Sequence, residues 1–249
     1  MTRTGQSVSI VGRTRRAWRR LGAVGFLALV GKNLRLYLSG DAKDHAYIYN
    51  AQFDRDFDVD TLGVVEIDEM AVPGEAAIGA ARYEPIQPEF FAHLVKRLPA
   101  VEPSDFTFVD VGSGKGRALI LAAVAGFRTV IGVEFDAGLH HAAMSNIDRI
   151  RGRFPDVSFV LRHEDARNFT PPEGSIILMV NNPFDQSVLI PLLERFEQVG
   201  SKQGQPCYLI YGHSLHVDQV IERRCWKILE RSHFQTKRHP YAIFEMDVQ

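Results

Sequence analysis

From residue 106 onward, short continuous apolar runs alternate with segments of helical spacing. A continuous run of β-branched and aromatic residues is typical of a strand buried on both faces, because a solvated face would require alternating polar positions. Helical segments between such strands predict a parallel sheet covered by helices on both sides. The predicted strands are 106–111, 128–135, 157–162, 175–180 and 207–212, and the predicted helices are 115–125, 137–151, 188–199 and 216–224.

The end of the chain follows a different pattern. Two further strand-like runs, residues 226–235 and 241–247, are joined by the short stretch K-R-H-P-Y. Such a connection allows a hairpin and excludes a crossover, so this pair is predicted to be antiparallel. The predicted fold class is α/β: a doubly wound, mostly parallel seven-stranded sheet with a C-terminal antiparallel hairpin, preceded by an N-terminal extension.

Upstream of the sheet, residues 53–69 interleave acidic and apolar residues and are expected to form a solvated loop with a short strand. Residues 71–81 are rich in Gly, Ala and Pro, which predicts a loop. Pro85 and Pro88 then open a predicted helix over residues 89–98, because its apolar residues recur at helical spacing.

The overall composition is that of an ordinary globular protein, whereas the distribution of charge indicates how the chain is divided. The chain has 249 residues, 45% hydrophobic and 24% charged, with a net charge of −1, which excludes disordered and disulfide-rich classes. Residues 1–40 contain eight basic and no acidic residues, while residues 41–75, the acidic collar, contain ten acidic and two basic residues. We expect a basic extension over 1–40, an acidic lead-in and cap over 41–100, and the sheet domain over 101–249.

The basic extension has two interpretations. Residues 13–20 are arginine-rich and precede an apolar run over 21–31, which is too short for a bilayer span of about 20 residues. Residues 13–31 therefore predict either an amphipathic helix on an anionic membrane surface or a helix that packs on the body. Cys207 and Cys225 are expected to be reduced thiols of a cytoplasmic protein, and no Cys/His spacing suggests a metal site.

The strongest chemical signal is D-V-G-S-G-K-G, residues 110–116, at a strand-to-helix turn. Its glycines allow a tight turn and bring bare backbone against a ligand. Three more polar stretches follow later strands, at the sheet edge where open α/β sheets bind ligands. They are Glu134, suited to ribose hydroxyls, Asp165-Ala166, suited to an adenine amino group, and N-N-P-F over residues 181–184.

The spacing separates two kinds of nucleotide site. A dinucleotide fingerprint requires G-x-G-x-x-G/A, with a small third residue that lets helix and strand pack closely. Here the spacing is G-x-G-x-G, position 117 is Arg, and Asp110 stands two residues before the first glycine. These features favour S-adenosylmethionine over a nicotinamide cofactor.

The stretches D-V-G-S-G-K-G, G-V-E-F-D (132–136), E-D-A (164–166) and N-N-P-F resemble the first four motifs of class I S-adenosylmethionine-dependent methyltransferases. D-T-L-G (60–63), R-Y-E-P (82–85) and G-S-G-K-G-R together are similar to a largely uncharacterised bacterial group of that superfamily. The resemblance covers about residues 53–249. It implies a Rossmann-like fold, S-adenosylmethionine as cofactor and S-adenosylhomocysteine as product.

The resemblance also implies roles for individual residues. The residues expected to bind the cofactor are Asp110, Gly112, Ser113, Gly114, Gly116, Glu134, Phe135, Asp165, Ala166 and Asn181. Those expected at the reacting groups are Asn181, Pro183, Phe184 and Tyr83. His213, just after the fifth strand, is a candidate base by position, with a satisfied rim histidine as the alternative.

N-N-P-F is similar to the N-P-P-Y/F motif of enzymes that methylate planar nitrogen, although its second residue is Asn182 rather than Pro. Rossmann-type histone-lysine methyltransferases, which also have two asparagines here, are a comparable model. The expected activity is N-methylation of a protein lysine or amide side chain, because the acidic collar would attract a basic partner. The alternatives are a nucleobase amino methyltransferase and a non-catalytic, membrane-associated scaffold that binds the cofactor.

Overall fold

In the computed structural model, the residues described are 51–70, 81–99, 101–181, 184–235 and 239–247, and all lie in one compact unit, Tyr49–Gln249. The predictions for residues 1–40, including membrane contact through 13–31, fall outside the described residues. Within the described ranges, no helix has the length and apolarity to cross a membrane. The predicted divisions at residues 40 and 100 stay predictions.

Seven strands form one sheet. They are β1 (Thr107–Val111), β2 (Thr129–Glu134), β3 (Ser158–His163), β4 (Ile176–Asn181), β5 (Cys207–Gly212), β6 (Trp226–Phe234) and β7 (His239–Met246). The helices of the same region are α1 (Pro88–Val95), α2 (Arg117–Val124), α3 (Ala137–Ile150), α4 (Gln186–Gln203) and α5 (Val217–Ile221).

The strand order is β3-β2-β1-β4-β5-β7-β6. Strands β1 to β5 pair in parallel, whereas β7 pairs antiparallel with both β5 and β6. The predicted fold class, a mostly parallel seven-stranded sheet ending in an antiparallel hairpin, is confirmed. The direction of strand order reverses between β1 and β4, which is the point where such sheets bind ligands.

Two hydrophobic cores lie on opposite faces of the sheet, as continuous apolar strands predict. Alternate residues of one strand enter different cores: Phe108 of β1 packs in the first core, and Val109 packs in the second. The first core also contains Phe53, Phe90 and Leu119. Residues from the predicted cap therefore share a core with the sheet domain.

The structure corrects one expected element and extends another. Residues 51–57 are helical, so the expected loop and short strand over 53–69 is wrong at its start. The only described strand-like contact of that segment is a single bridge between Val65 and Tyr83. Helix α4 starts earlier and ends later than the predicted 188–199, because the Asp185 side chain caps Ser187 N at 2.7 Å and Gly204 ends the helix at φ 61°.

Candidate active site

The glycine loop after β1 has a backbone that side chains would disturb. Gly112, Gly114 and Gly116 have φ values of 81°, 54° and 84°, a region that favours glycine. A Cβ on Gly112 would lie 3.2 Å from the Phe184 ring, and a Cβ on Gly114 would collide with the Tyr83 ring. Two aromatic rings therefore cover the bare backbone of this loop.

Glu134, the last residue of β2, is tied to the glycine loop. Its carboxylate accepts hydrogen bonds from Gly114 N at 2.8 Å and from Asp136 N at 2.9 Å. Burial raises the pKa of Glu134, and these backbone donors oppose the rise. The carboxylate has further lone pairs at the cleft, where ribose hydroxyls are expected to bind.

Asp110, in β1, lines the same cleft and is only 4% exposed. None of the described residues donates a hydrogen bond to its carboxylate. Burial, with the nearby Glu134 charge, raises the pKa of Asp110 to about 7. A buried carboxylate without a donor is a favourable site for a cationic group such as an amino-acid ammonium.

A buried ion pair connects the cap to the glycine loop. Arg117, at the start of α2, is 2% exposed, and its Nη2 lies 3.0 Å from Asp54 Oδ1. Arg117 Nε donates to Thr61 Oγ1 at 2.6 Å, and the Thr61 hydroxyl donates to Asp54. Asp54 also accepts from the backbone N–H of Leu62 at 2.9 Å. The charge of Asp54 is therefore compensated within the protein.

Tyr83 extends this contact across the loop. Its hydroxyl donates to Thr61 O at 2.7 Å, while its ring lies against Gly114. Lys115 Nζ donates to Leu62 O at 2.7 Å. D-T-L-G, R-Y-E-P and G-S-G-K-G-R, which are distant in the sequence, thus form one continuous packed unit.

Asn181 and Phe184 face the glycine loop from the end of β4. Both line the cleft, while Asn182 and Pro183 lie outside the described residues. The Asn181 side chain is hydrogen bonded to His213, with 3.1 Å between Oδ1 and Nδ1. Asn181 thus stands at the position where a methyl acceptor is expected.

Asp165 and Ala166 are placed differently from the other predicted site residues. The Asp165 carboxylate forms a bidentate pair with Arg167, at 3.0 and 2.6 Å, which lowers the pKa of Asp165. Ala166 is 7% exposed and packs in the second core. Neither residue lines the cleft, so their proposed contact with adenine stays a prediction.

The cleft gathers most of the predicted residues but leaves little free space. Its cavity volume is about 60 Å³. The carboxylates of Asp110 and Glu134 can accept hydrogen bonds from an ammonium and from ribose hydroxyls, and the rings of Tyr83 and Phe184 stand over the loop that would receive such a ligand. The predicted residues that line the cleft are Tyr83, Asp110, Gly112, Ser113, Glu134, Phe135, Asn181 and Phe184.

Sequence reasoning missed the residues that hold the cleft together. Asp54 lies in a segment for which the sequence predicts a solvated loop, and Thr61 belongs to the D-T-L-G motif, for which the sequence indicates no individual role. The signal for their partner was the Arg at position 117, where a dinucleotide fingerprint has a small residue. The pairing of His213 with His239 had no local signal, because it joins residues 26 positions apart.

The chain is similar to several solved structures at low identity. One is a predicted N6-adenine-specific DNA methylase from Listeria monocytogenes (16% identity, TM-score 0.49, 65% of this chain, 51% of that chain). Another is a tRNA (uracil-54, C5)-methyltransferase from Pyrococcus abyssi in complex with S-adenosyl-L-homocysteine (15% identity, TM-score 0.46, 64% of this chain, 37% of that chain). A third is magnesium protoporphyrin IX methyltransferase from Synechocystis (15% identity, TM-score 0.44, 63% of this chain, 75% of that chain).

The matched region spans little more than a third of the Pyrococcus protein and about half of the Listeria protein. No protein-family model and no curated protein matches the chain. Similarity at this level concerns the fold alone and identifies no substrate.

Proposed function

We propose that this protein is an S-adenosylmethionine-dependent methyltransferase that N-methylates a protein side chain, either a lysine amine or an amide. The observation that carries the proposal is the cleft at the reversal point between β1 and β4. It combines a bare glycine loop, a buried Asp110 carboxylate without a described donor, and Asn181 with Phe184 on the opposite wall.

Each of these residues has a definite task in the proposal. Gly112 and Gly114 would admit the amino-acid part of the cofactor against the backbone, and Asp110 would bind its ammonium. Glu134 would accept hydrogen bonds from the ribose hydroxyls while still holding Gly114. When bound, the cofactor supplies a methyl group already activated by its sulfonium, so the protein mainly has to position the acceptor and exclude water.

The charge around the cap supports a protein acceptor over a nucleic acid. Nucleic-acid binding depends on basic residues that neutralise phosphates. The described part of the acidic collar instead exposes carboxylates beside the D-T-L-G motif, and a basic protein partner would be attracted to them. These exposed acids are Asp56, Asp58, Asp60, Glu66, Asp68 and Glu69.

The direct test is transfer of a labelled methyl group from S-adenosylmethionine into a cell lysate that is then separated into protein, nucleic acid and small molecules. We expect label in the protein fraction, and acid hydrolysis should release it as methylated lysine from a lysine acceptor or as methylamine from an amide acceptor. The matched control is Glu134→Ala, which should abolish labelling because ribose binding and the glycine loop are both disturbed.

Label in nucleic acid would instead indicate a nucleobase amino acceptor. A third outcome is cofactor binding without labelling of any fraction, with the same cofactor binding in Asn181→Ala. That outcome would indicate a non-catalytic cofactor-binding scaffold. Either result would contradict the proposed activity.

A further inference from the structure

Three polar side chains at the carboxyl edge of the sheet form a hydrogen-bonded chain. Asn181 ends β4, His213 directly follows β5, and His239 begins β7. The distance from Asn181 Oδ1 to His213 Nδ1 is 3.1 Å, and that from His213 Nε2 to His239 Nδ1 is 2.8 Å. Both ring nitrogens of His213 are therefore engaged by other side chains.

The direction of each hydrogen bond follows from the chemistry of the groups. An amide oxygen can only accept, so His213 Nδ1 must carry the proton. A neutral His213 then has an unprotonated Nε2, which accepts from His239 Nδ1–H. With both nitrogens occupied, His213 has no free lone pair for a substrate, which excludes the role of general base suggested by its position alone.

The backbone conformation at Gly212 and His213 allows these hydrogen bonds to form. His213 has φ 50°, a left-handed conformation that is uncommon outside glycine and that persists only where the surroundings hold it. The preceding Gly212 leaves the space that the Asn181 side chain occupies, since a Cβ there would collide with Asn181 Oδ1. Phe90 of α1 packs edge-on against His213, with 5.6 Å between ring centroids.

The remaining half of the Asn181 amide is available to a ligand. The Asn181 oxygen is directed toward Gly212 and His213. The amide nitrogen lies in the same plane and points away from the oxygen. The Nδ2 hydrogens bond to no other residue in the described part of the chain, and Asn181 lines the cleft. Asn181 therefore offers donors where the acceptor is expected.

We propose that His213 is a positioning residue whose tautomer is set by His239. It holds the Asn181 carboxamide so that the Nδ2 hydrogens face the cleft and bind a lone-pair-bearing atom of the methyl acceptor. The carbonyl oxygen of an amide can accept such a hydrogen bond while its nitrogen receives the methyl group, whereas the single lone pair of a neutral lysine amine is the pair that must attack the methyl group. This inference rests on the proposed function and narrows it to an amide side chain.

The tautomers can be measured without any substrate. Long-range ¹H–¹⁵N correlation spectra of the full-length protein, assigned with His213→Asn and His239→Gln variants, distinguish Nδ1–H from Nε2–H imidazoles. We expect Nδ1–H for both histidines near neutral pH. Burial and the neighbouring His239 lower the pKa of His213, and the charge of Glu84 opposes this shift. An Nε2–H tautomer at His213 would overturn the proposal.

The orientation of Asn181 is tested by substitution. Aspartate keeps an oxygen for His213 but has no N–H to donate, so Asn181→Asp should lose protein labelling as fully as Asn181→Ala. Each should fall about 100-fold, as expected when a reacting group is misplaced. If Asn181→Asp keeps activity, Asn181 acts through its oxygen and the proposal is wrong.

The positioning role of His213 has its own pair of variants. His213→Asn keeps a donor at the place of Nδ1 and tolerates the positive φ, so it should retain most of the labelling rate, whereas His213→Leu should lose about 100-fold. His93→Asn is the matched control, because His93 bonds Tyr241 in the same aromatic cluster and does not contact Asn181. Equal losses in His213→Asn and His213→Leu would contradict the positioning role.

The failure of this inference is distinguishable from failure of the proposed function. The His213 and His239 variants should bind S-adenosylhomocysteine as the wild type does in calorimetry, because both histidines lie on the acceptor side of the cleft. If the wild type neither binds S-adenosylhomocysteine nor labels protein, the proposed function fails, while the tautomers still report on the His213 arrangement.

Discussion

The two sides of the cleft are held by different chemistry. On the glycine-loop side, a buried ion pair between Arg117 and Asp54, joined by Thr61, fixes the cap to the start of α2. On the Asn181 side, the hydrogen-bonded chain from Asn181 through His213 to His239 joins an uncharged amide to two imidazoles, and it contains no ion pair. Breaking a buried ion pair leaves an uncompensated charge, whereas breaking a neutral hydrogen bond costs about 1 kcal/mol. The first side should therefore matter most for stability and the second most for turnover.

The largest effect is expected for Arg117→Met, which leaves Asp54 charged and buried. We expect the free energy of unfolding to fall by about 3–5 kcal/mol, measured by urea denaturation. Arg82→Met is the matched control, because the Arg82 side chain is 50% exposed and pairs at the surface, where a loss of about 0–1 kcal/mol is typical. Equal losses in the free energy of unfolding would show that the buried pair stabilises the fold no more than the surface pair does.

The next effect concerns the contact between Gly114 and Tyr83. Gly114→Ala places a Cβ into the Tyr83 ring at a φ of 54°, so we expect a loss of about 2–3 kcal/mol and weaker binding of S-adenosylhomocysteine. Gly174→Ala, at φ 97° with open space around it, isolates the cost of the backbone conformation. If the thermal unfolding curves of Gly114→Ala and Gly174→Ala match, the Tyr83 ring moves aside without a measurable cost in stability, which would contradict this prediction.

A third prediction uses the raised pKa of Asp110. The pKa of this carboxyl is raised to about 7 in the native state from its ordinary value of 3.8, so the native state binds more protons than the unfolded state between these two pH values. Stability should therefore decrease as pH rises from about 4 to 7, by at most about 1.4 kcal/mol per pH unit from this group. Urea denaturation of wild type and Asp110→Asn across this range should differ by that slope, and parallel curves would contradict the assignment.

The smallest stability effect is expected on the other side of the cleft. Asn181→Ala removes one hydrogen bond to His213 and should lower the free energy of unfolding by about 1 kcal/mol. Its melting curve should stay close to that of the wild type, while methyl transfer is lost. A destabilisation as large as that of Arg117→Met would remove the distinction between the two sides.

The sequence predicted the sheet well because each buried strand is a continuous apolar run whose type does not depend on distant partners. It predicted the cap poorly for the opposite reason. Asp54 and its neighbours read as a solvated acidic stretch, and only the fold brings Arg117, 63 positions away, into contact with that carboxylate. The sequence also does not give the orientation of a side chain: the Asp165 carboxylate pairs with Arg167 here, and its contact with adenine stays a prediction.

The central claim is that the cleft between β1 and β4 binds S-adenosylmethionine through the glycine loop and Glu134. Calorimetric titration of S-adenosylhomocysteine into the wild type and Glu134→Ala tests it most directly. We predict one binding site per chain in the wild type and a large loss of affinity in Glu134→Ala, with His93→Asn unaffected. No binding to the wild type, or equal binding to the wild type and Glu134→Ala, would contradict the claim.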